Sequence, residues 1–241
     1  MDFVVKNSGE INVIFLHGWG ADFSSFYFLK DVISDCKLHF ANLDGFGGSE
    51  EPDDPTISGY ANRLYAYISN QQLKNVVLVG HSFGGRVAIE YASAHRVLGL
   101  VLVNSAGLKP RFSFKKYCRK IKFKIIKWLV NSKVISSSKL DSYGSIDYKQ
   151  ASPQMRRVLV SCVNHNQKPL LKQINTDCLI FWGKDDTDTP LYMAKTLHKH
   201  IKKSKMVVVS KCGHFSFLDN QYAFYCALRD FLDKQKGELY E

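Results

Sequence analysis

Six short stretches of the chain are almost unbroken in apolar residues: 13–16, 38–43 (the loosest), 76–79, 98–103, 178–182 and 206–209. Val, Ile and Leu dominate most of them, and Gly, Asn, Asp or Lys bound them. A strand with one face in water alternates apolar and polar residues. Continuous runs therefore predict strands covered on both faces, which is the pattern of a parallel sheet. The spacers between the early runs have helical periodicity. Tyr60, Leu64, Tyr67 and Ile68 follow at spacings of 4, 3 and 1, and Val87, Tyr91 and Ala94 at 4 and 3. Alternating strands and helices with right-handed crossovers predict an open, mostly parallel α/β sheet with helices on both faces. Residues 3–5 are expected to add a short edge strand.

The alternation is interrupted once. About seventy residues separate Val103 from Cys178, far more than a crossover needs. Within them, Phe114, Tyr117, Ile121, Ile125 and Trp128 follow at spacings of 3, 4, 4 and 3, which predicts an amphipathic helix with a cationic opposite face. Ser136, Ser137 and Ser138 read as a turn, and 155–163 as a further helix. The expected organisation is one α/β core built from 1–108 and 176–241, into which 109–175 is inserted as a helical cap. No internal repeat or low-complexity tract is present.

Charge sharpens that division. The 241 residues hold 33 Lys and Arg against 22 Asp and Glu, a formal net charge of +11. Residues 109–175 hold sixteen basic and two acidic residues, net +14, and the remainder seventeen and twenty, net −3. The entire excess belongs to the inserted segment. Shares of 45% apolar and 23% charged residues are those of a globular domain and exclude disordered or collagen-like chains. No apolar run approaches the ~18 residues of a membrane span. The stretch Met1-Asp2-Phe3-Val4-Val5-Lys6 lacks the basic start and apolar core of a signal peptide. Six cysteines, none in a Cys-x-x-Cys pair, read as reduced thiols rather than disulfides or a zinc site, so a cytoplasmic location is expected.

The chemistry concentrates at Gly80-His81-Ser82-Phe83-Gly84-Gly85, directly after one predicted strand and before a predicted helix. Gly-x-Ser-x-Gly at a strand-to-helix junction is a nucleophile elbow. The serine occupies a strained turn, and side chains at Gly80 or Gly84 would meet neighbouring backbone. The helix start aims its N–H groups at charge that develops during reaction.

With these residues the chain resembles the α/β-hydrolase fold superfamily over essentially its whole length. That resemblance implies the chain order nucleophile, acid, histidine. Its acid motif, Trp-Gly-x-x-Asp with a proline four residues on, falls at Trp182, Gly183, Asp186 and Pro190. It therefore selects Asp186, leaving Asp185 and Asp188 as turn or cap acids. The segment after the preceding strand, Asn104-Ser105-Ala106-Gly107, offers no carboxylate. The resemblance places the base after the last strand, at His214 in Cys212-Gly213-His214. His198 and His200 lie on a surface helix, His39 and His95 belong to no motif, and His81 packs or hydrogen-bonds inside the elbow. The oxyanion hole implied is the N–H of Phe83 and, from Phe15-Leu16-His17-Gly18-Trp19-Gly20, that of Trp19. Asp44-Gly45-Phe46-Gly47-Gly48-Ser49 matches a structural Gly-rich loop of the superfamily and lacks the pattern of a nucleotide-binding loop.

Ser82 excludes the aspartate-nucleophile chemistry of haloalkane dehalogenases and epoxide hydrolases. No metal-ligand spacing is present, so neither metal nor cofactor is expected. The chain is similar to small capped serine carboxylesterases, such as those that demethylate pimeloyl groups on acyl carrier protein. The residues flanking Ser82 differ from theirs. The expected activity is hydrolysis of a small-molecule carboxylic ester or thioester through a Ser82 acyl-enzyme. The basic cap is expected to meet an acidic acyl carrier or an anionic membrane surface, with a simply solvated cationic face as the open alternative, and with no nucleic-acid motif none is expected to bind. Two alternatives stay open: a hydrolase-fold receptor that binds a small ligand with little turnover, and a carbon–carbon bond hydrolase.

Overall fold

The computed structural model describes residues 1–111, 128, 130, 132 and 145–240, with Tyr240 described by its backbone alone. Seven strands form one open sheet: β1 (Asp2–Lys6), β2 (Asn12–Leu16), β3 (Lys37–Asn42), β4 (Val76–His81), β5 (Gly99–Val103), β6 (Asp177–Gly183) and β7 (Ser204–Val209). Their order is β1-β3-β2-β4-β5-β6-β7. β1 runs antiparallel to β3, and every other pairing is parallel. All six apolar runs are strands, and the expected edge strand is β1. The helices are α1 (Ile57–Asn70), α2 (Phe83–Ala94), α3 (Ile146–Gln150), α4 (Pro153–Asn164), α5 (Tyr192–His200), α6 (Ser216–Asp219) and α7 (Gln221–Tyr240). Two 3-10 helices, Phe23–Asp31 and Lys168–Gln173, complete the described elements.

The continuous apolar runs have a direct cause in the packing. Successive strand residues feed two separate cores, one on each face of the sheet. Ile14, Leu16, Leu78, Leu100, Leu102, Ile180 and Trp182 pack with α1, α2, α4 and α5. Val13, Phe15, Val77, Val79, Val101, Val103, Leu179 and Phe181 pack with the first 3-10 helix, α6 and α7. Each such side chain contributes ~1.5–3 kcal/mol by leaving water, and the polar residue inside β3, His39, is buried only with both ring nitrogens bonded, to Tyr67 and Asn12. Thr56 and Ser152 cap α1 and α4 by accepting from the Gly59 and Met155 amides.

α7 is the longest described element that the sequence pattern leaves unread. Its Phe224, Leu228 and Leu232, spaced by four and fully buried, close the second face of the sheet. Within 109–175 the described elements are α3, α4 and the 3-10 helix Lys168–Gln173. α4 covers the expected helix at 155–163 and buries Met155, Val158 and Cys162 against the first core. The helix expected from Phe114 and the turn at 136–138 lie outside the described residues, apart from Trp128, which is helical and 65% exposed. Among the described residues no helix is long and apolar enough to cross a membrane.

Candidate active site

β4 ends at His81 and α2 starts at Phe83, leaving Ser82 alone at the junction with φ +47° and ψ −107°. A non-glycine residue there carries strain of ~1–3 kcal/mol, which persists only where the surroundings hold it. The Ser82 amide donates to the Val103 carbonyl (3.2 Å), and its own carbonyl accepts from the Ala106 amide (3.0 Å). A Cβ at Gly80 would stand 2.6 Å from the Gly84 oxygen, and one at Gly84 2.1 Å from the Leu16 oxygen. Helix and strand approach this closely because those side chains are missing.

His214, in the loop after β7, lies with Nε2 2.9 Å from Ser82 Oγ and Nδ1 2.9 Å from Asp186 Oδ2. Asp186 is 4% exposed, whereas Asp185 and Asp188 face solvent. Burial alone would raise the Asp186 pKa, but hydrogen bonds from His214, Thr189 and Asn104 outweigh it and hold the carboxyl at about 2. An ionised Asp186 can only accept, so His214 Nδ1 carries the proton and Nε2 is left bare toward the Ser82 hydroxyl. That is the tautomer a general base needs.

Two residues outside the expected set hold the acid. Thr189 donates its hydroxyl to Asp186 Oδ2 (2.6 Å) and its amide to Oδ1 (2.9 Å). Asn104, fully buried at φ +42°, donates its amide to Asp186 Oδ2 and to the Gly213 carbonyl, while its oxygen accepts from Ser216 Oγ. A single side chain thus ties the acid loop to the histidine loop. The available sequence signal was Asn104 itself, an amide residue directly after a buried strand, where a left-handed backbone suits Asn.

The loop after β2 passes over Ser82. A Cβ on Gly18 would lie 2.7 Å from His81 Nδ1 and 3.4 Å from Ser82 Cβ. His17 is buried, and its Nε2 accepts from the Leu43 amide (3.0 Å), so Nδ1 is protonated and donates to the Gly18 carbonyl (2.7 Å). C=O and N–H of a trans peptide point in opposite directions. With the Gly18 carbonyl held on His17, the Trp19 N–H is turned the other way. Phe83 opens α2, so its N–H has no partner within that helix. The Trp19 ring meets Phe83 and Phe46 edge-on at 5.5 and 4.9 Å, making an aromatic wall. His81 is 1% exposed. Burial, with the neighbouring His214, lowers its pKa to about 3, and its neutral ring donates from Nε2 to the His214 carbonyl (2.9 Å).

Ligand atoms of Asp186, Asp188 and His214 lie within 4.8 Å of one another, the one such group among the described residues. Both Asp186 oxygens already accept from two or more donors, and His214 Nδ1 donates to one of them. The group is built as a hydrogen-bonded relay rather than a cation cage.

Residues 13–228 match the family described as "Alpha/beta hydrolase family". The chain belongs to that family. As an α/β hydrolase it is similar to the AB hydrolase superfamily protein YisY of Bacillus subtilis, 26% identical over 234 residues and covering 87% of each chain. It is also similar to the pimeloyl-[acyl-carrier protein] methyl ester esterase of Shewanella woodyi, 24% identical over 251 residues, with 92% of this chain and 94% of that one covered. Among solved structures, the esterase EaEST from Exiguobacterium antarcticum superposes with a TM-score of 0.75 at 22% identity, covering 96% of this chain and 94% of that one. At that identity the superposition speaks for the fold, an open α/β-hydrolase sheet.

Proposed function

We propose that this hydrolase cleaves a small-molecule carboxylic ester or thioester by a Ser-His-Asp acyl-enzyme mechanism. The observation that carries the reading is the unbroken relay Ser82–His214–Asp186, 2.9 Å at each contact, on a serine held at φ +47°. Ser82 Oγ attacks the acyl carbon as its proton passes to His214 Nε2. Asp186 holds the imidazole in its tautomer and stabilises the imidazolium. The Trp19 and Phe83 amides receive the oxyanion. The imidazolium then protonates the departing alkoxide or thiolate. A water that gives its proton to His214 next attacks the acyl-enzyme, releasing the carboxylic acid and regenerating Ser82. A fluorophosphonate probe is expected to label the folded protein at Ser82 and to leave Ser82→Ala unlabelled. Mapping of the adduct to another residue, or no adduct, overturns the assignment. An ester panel of graded acyl length then locates the preferred chain.

In this reading 109–175 is a cap over the entrance, and its +14 charge draws in an anionic substrate or the acidic carrier that bears it. The similarity to an esterase named for an acyl-carrier-protein substrate supports the carrier. Steering by exposed charge weakens as the screening length falls from ~10 Å at 0.1 M salt to ~3 Å at 1 M. For an anionic acyl substrate kcat/KM is expected to fall with salt, and to fall again when Lys115, Lys116, Arg119 and Lys122 are changed to Glu. A short neutral ester should show neither response. Equal responses of both substrates would remove the steering role.

A further inference from the structure

Arg86 lies one turn beyond Ser82 on α2, partly buried and without an acidic partner among the described residues. Its Nη1 donates to the His165 carbonyl at 3.2 Å, the one hydrogen bond of its guanidinium among those residues. Glu90, one turn further along, is turned away to Ser58, His165 and Gln167. The ionisable neighbour that acts on Arg86 is Cys162, whose thiol burial pushes up to about 11 and so leaves neutral at pH 7. Burial lowers the Arg86 pKa, yet a guanidinium remains protonated at any physiological pH. A full positive charge therefore stands partly withdrawn from water with no counter-ion among the described residues, an arrangement whose cost calls for an anion.

Arg86 lines a cavity of about 170 Å³ together with Ala106, Leu108, Lys109, Val163, Asp188 and Thr189. Two of these residues place it beside the relay. The Ala106 amide donates to the Ser82 carbonyl, and the Thr189 hydroxyl sits on Asp186. Lys109 adds a second positive charge at an exposed position. Asp188, the single acid of the lining among the described residues, faces solvent and forms no ion pair with Arg86. One of the five guanidinium N–H groups is committed to His165, which leaves others for a two-pronged grip on an oxyanion.

We propose that this cavity is an anion subsite in which Arg86 receives a carboxylate or phosphate group carried by the ester substrate, away from the carbonyl that Ser82 attacks. The proposal rests on the reading of Ser82 as nucleophile and adds a substrate class, esters with an anionic second end. Its first test needs no turnover. Ser82→Ala protein is titrated with adipate and, separately, with inorganic phosphate, followed by calorimetry and thermal shift. Saturable binding is expected for at least one of them, and the stronger of the two identifies the group the subsite takes. In an Arg86→Gln background, which keeps a donor for His165, that binding should weaken about ten- to a hundredfold, with Arg86→Lys losing less. The second test compares kcat/KM for monomethyl adipate with that for a neutral methyl ester of equal length. The anionic-to-neutral ratio should fall by a similar factor in Arg86→Gln, and by less in Lys109→Gln. Failure of both anions to bind, binding indifferent to Arg86, or an equal loss on both esters would reduce Arg86 to a tie between α2 and the end of α4. If fluorophosphonate labelling fails while adipate or phosphate still binds through Arg86, the nucleophile assignment falls and the subsite stands.

Discussion

β4 and β5 run side by side with His81 opposite Val103, and each is followed by a non-glycine residue at positive φ, Ser82 at +47° and Asn104 at +42°. At one corner the chain enters α2, and the Ser82 hydroxyl has a single side-chain partner among the described residues, His214. At the other it enters the loop toward 109–175, and the Asn104 side chain is 0% exposed, bonded to Asp186, Gly213, Gly183 and Ser216. Both corners share a positive φ, and the surroundings separate the outcomes. A corner opening onto a helix start leaves its hydroxyl facing the histidine, whereas a corner enclosed by the segments after β6 and β7 becomes a tie. Residue type follows from this. Asn tolerates the left-handed region at modest cost, while Ser does not, so the Ser82 corner needs the close packing that Gly80 and Gly84 permit.

The strongest way to break the comparison is to remove the carboxylate on which both corners converge. Asp186→Asn allows the imidazole to take the wrong tautomer, and ester kcat is expected to fall by orders of magnitude, up to ~10⁴. Asp185→Asn and Asp188→Asn should stay within about tenfold, because neither side chain bonds to His214. Steady-state turnover of a short ester by the three variants decides it. A dead Asp185→Asn with an active Asp186→Asn would show that the relay of the resting structure is not the one that works.

The Asn104 corner can be taken apart into backbone and side chain. Asn104→Gly keeps the positive φ and removes the amide, and Asn104→Ala removes both. Loss of a hydrogen bond to a charged carboxylate is worth ~1.5–3 kcal/mol, so kcat should drop about ten- to a hundredfold in each. Asn104→Ala should in addition unfold at lower denaturant than Asn104→Gly, by about 1 kcal/mol, since a Cβ is strained there. A wild-type kcat in Asn104→Gly would mean that the amide does not position Asp186. This corner is also where the sequence was least informative. The spacing from Gly183 to Pro190 singles out Asp186 among three neighbouring acids, and the glycines flanking Ser82 announce the elbow. Asn104 enters the sequence reading only as a place without a carboxylate. Its partners come from positions 186, 213 and 216, brought together by the pairing of β5 with β6 and by the path of the loop after β7. The sheet was legible because burial on both faces writes itself into every strand. α7 carries a comparable stripe, Phe224, Leu228 and Leu232, but it follows the last strand, so no second apolar run brackets it as two runs bracket α1.

The mildest test concerns the residue just before the Ser82 corner. His81 is buried as a neutral ring that donates to the His214 carbonyl, and its Nδ1 has no partner among the described residues. Burial, reinforced by the nearby His214, lowers its pKa from 6.5 to about 3. The unfolded chain therefore takes up a proton near pH 6.5 that the folded protein refuses until about pH 3. Stability from this group is fully present above pH 6.5 and is lost as the pH falls from there toward 3, with a slope of at most ~1.36 kcal/mol per pH unit. His81→Gln removes the titration while retaining a donor for the His214 carbonyl. Its stability should then fall less steeply with acid than the wild type's, by about one proton, when denaturant midpoints are followed from pH 7.5 to 4.5. His17 and His39, also lowered by burial, are present in both proteins and cancel in the difference. Parallel curves would mean that His81 takes up its proton in the folded state as readily as in the unfolded chain. The Ser82 corner would then be more open to water than its 1% exposed neighbour implies, and closer to the Asn104 corner's opposite than the packing indicates.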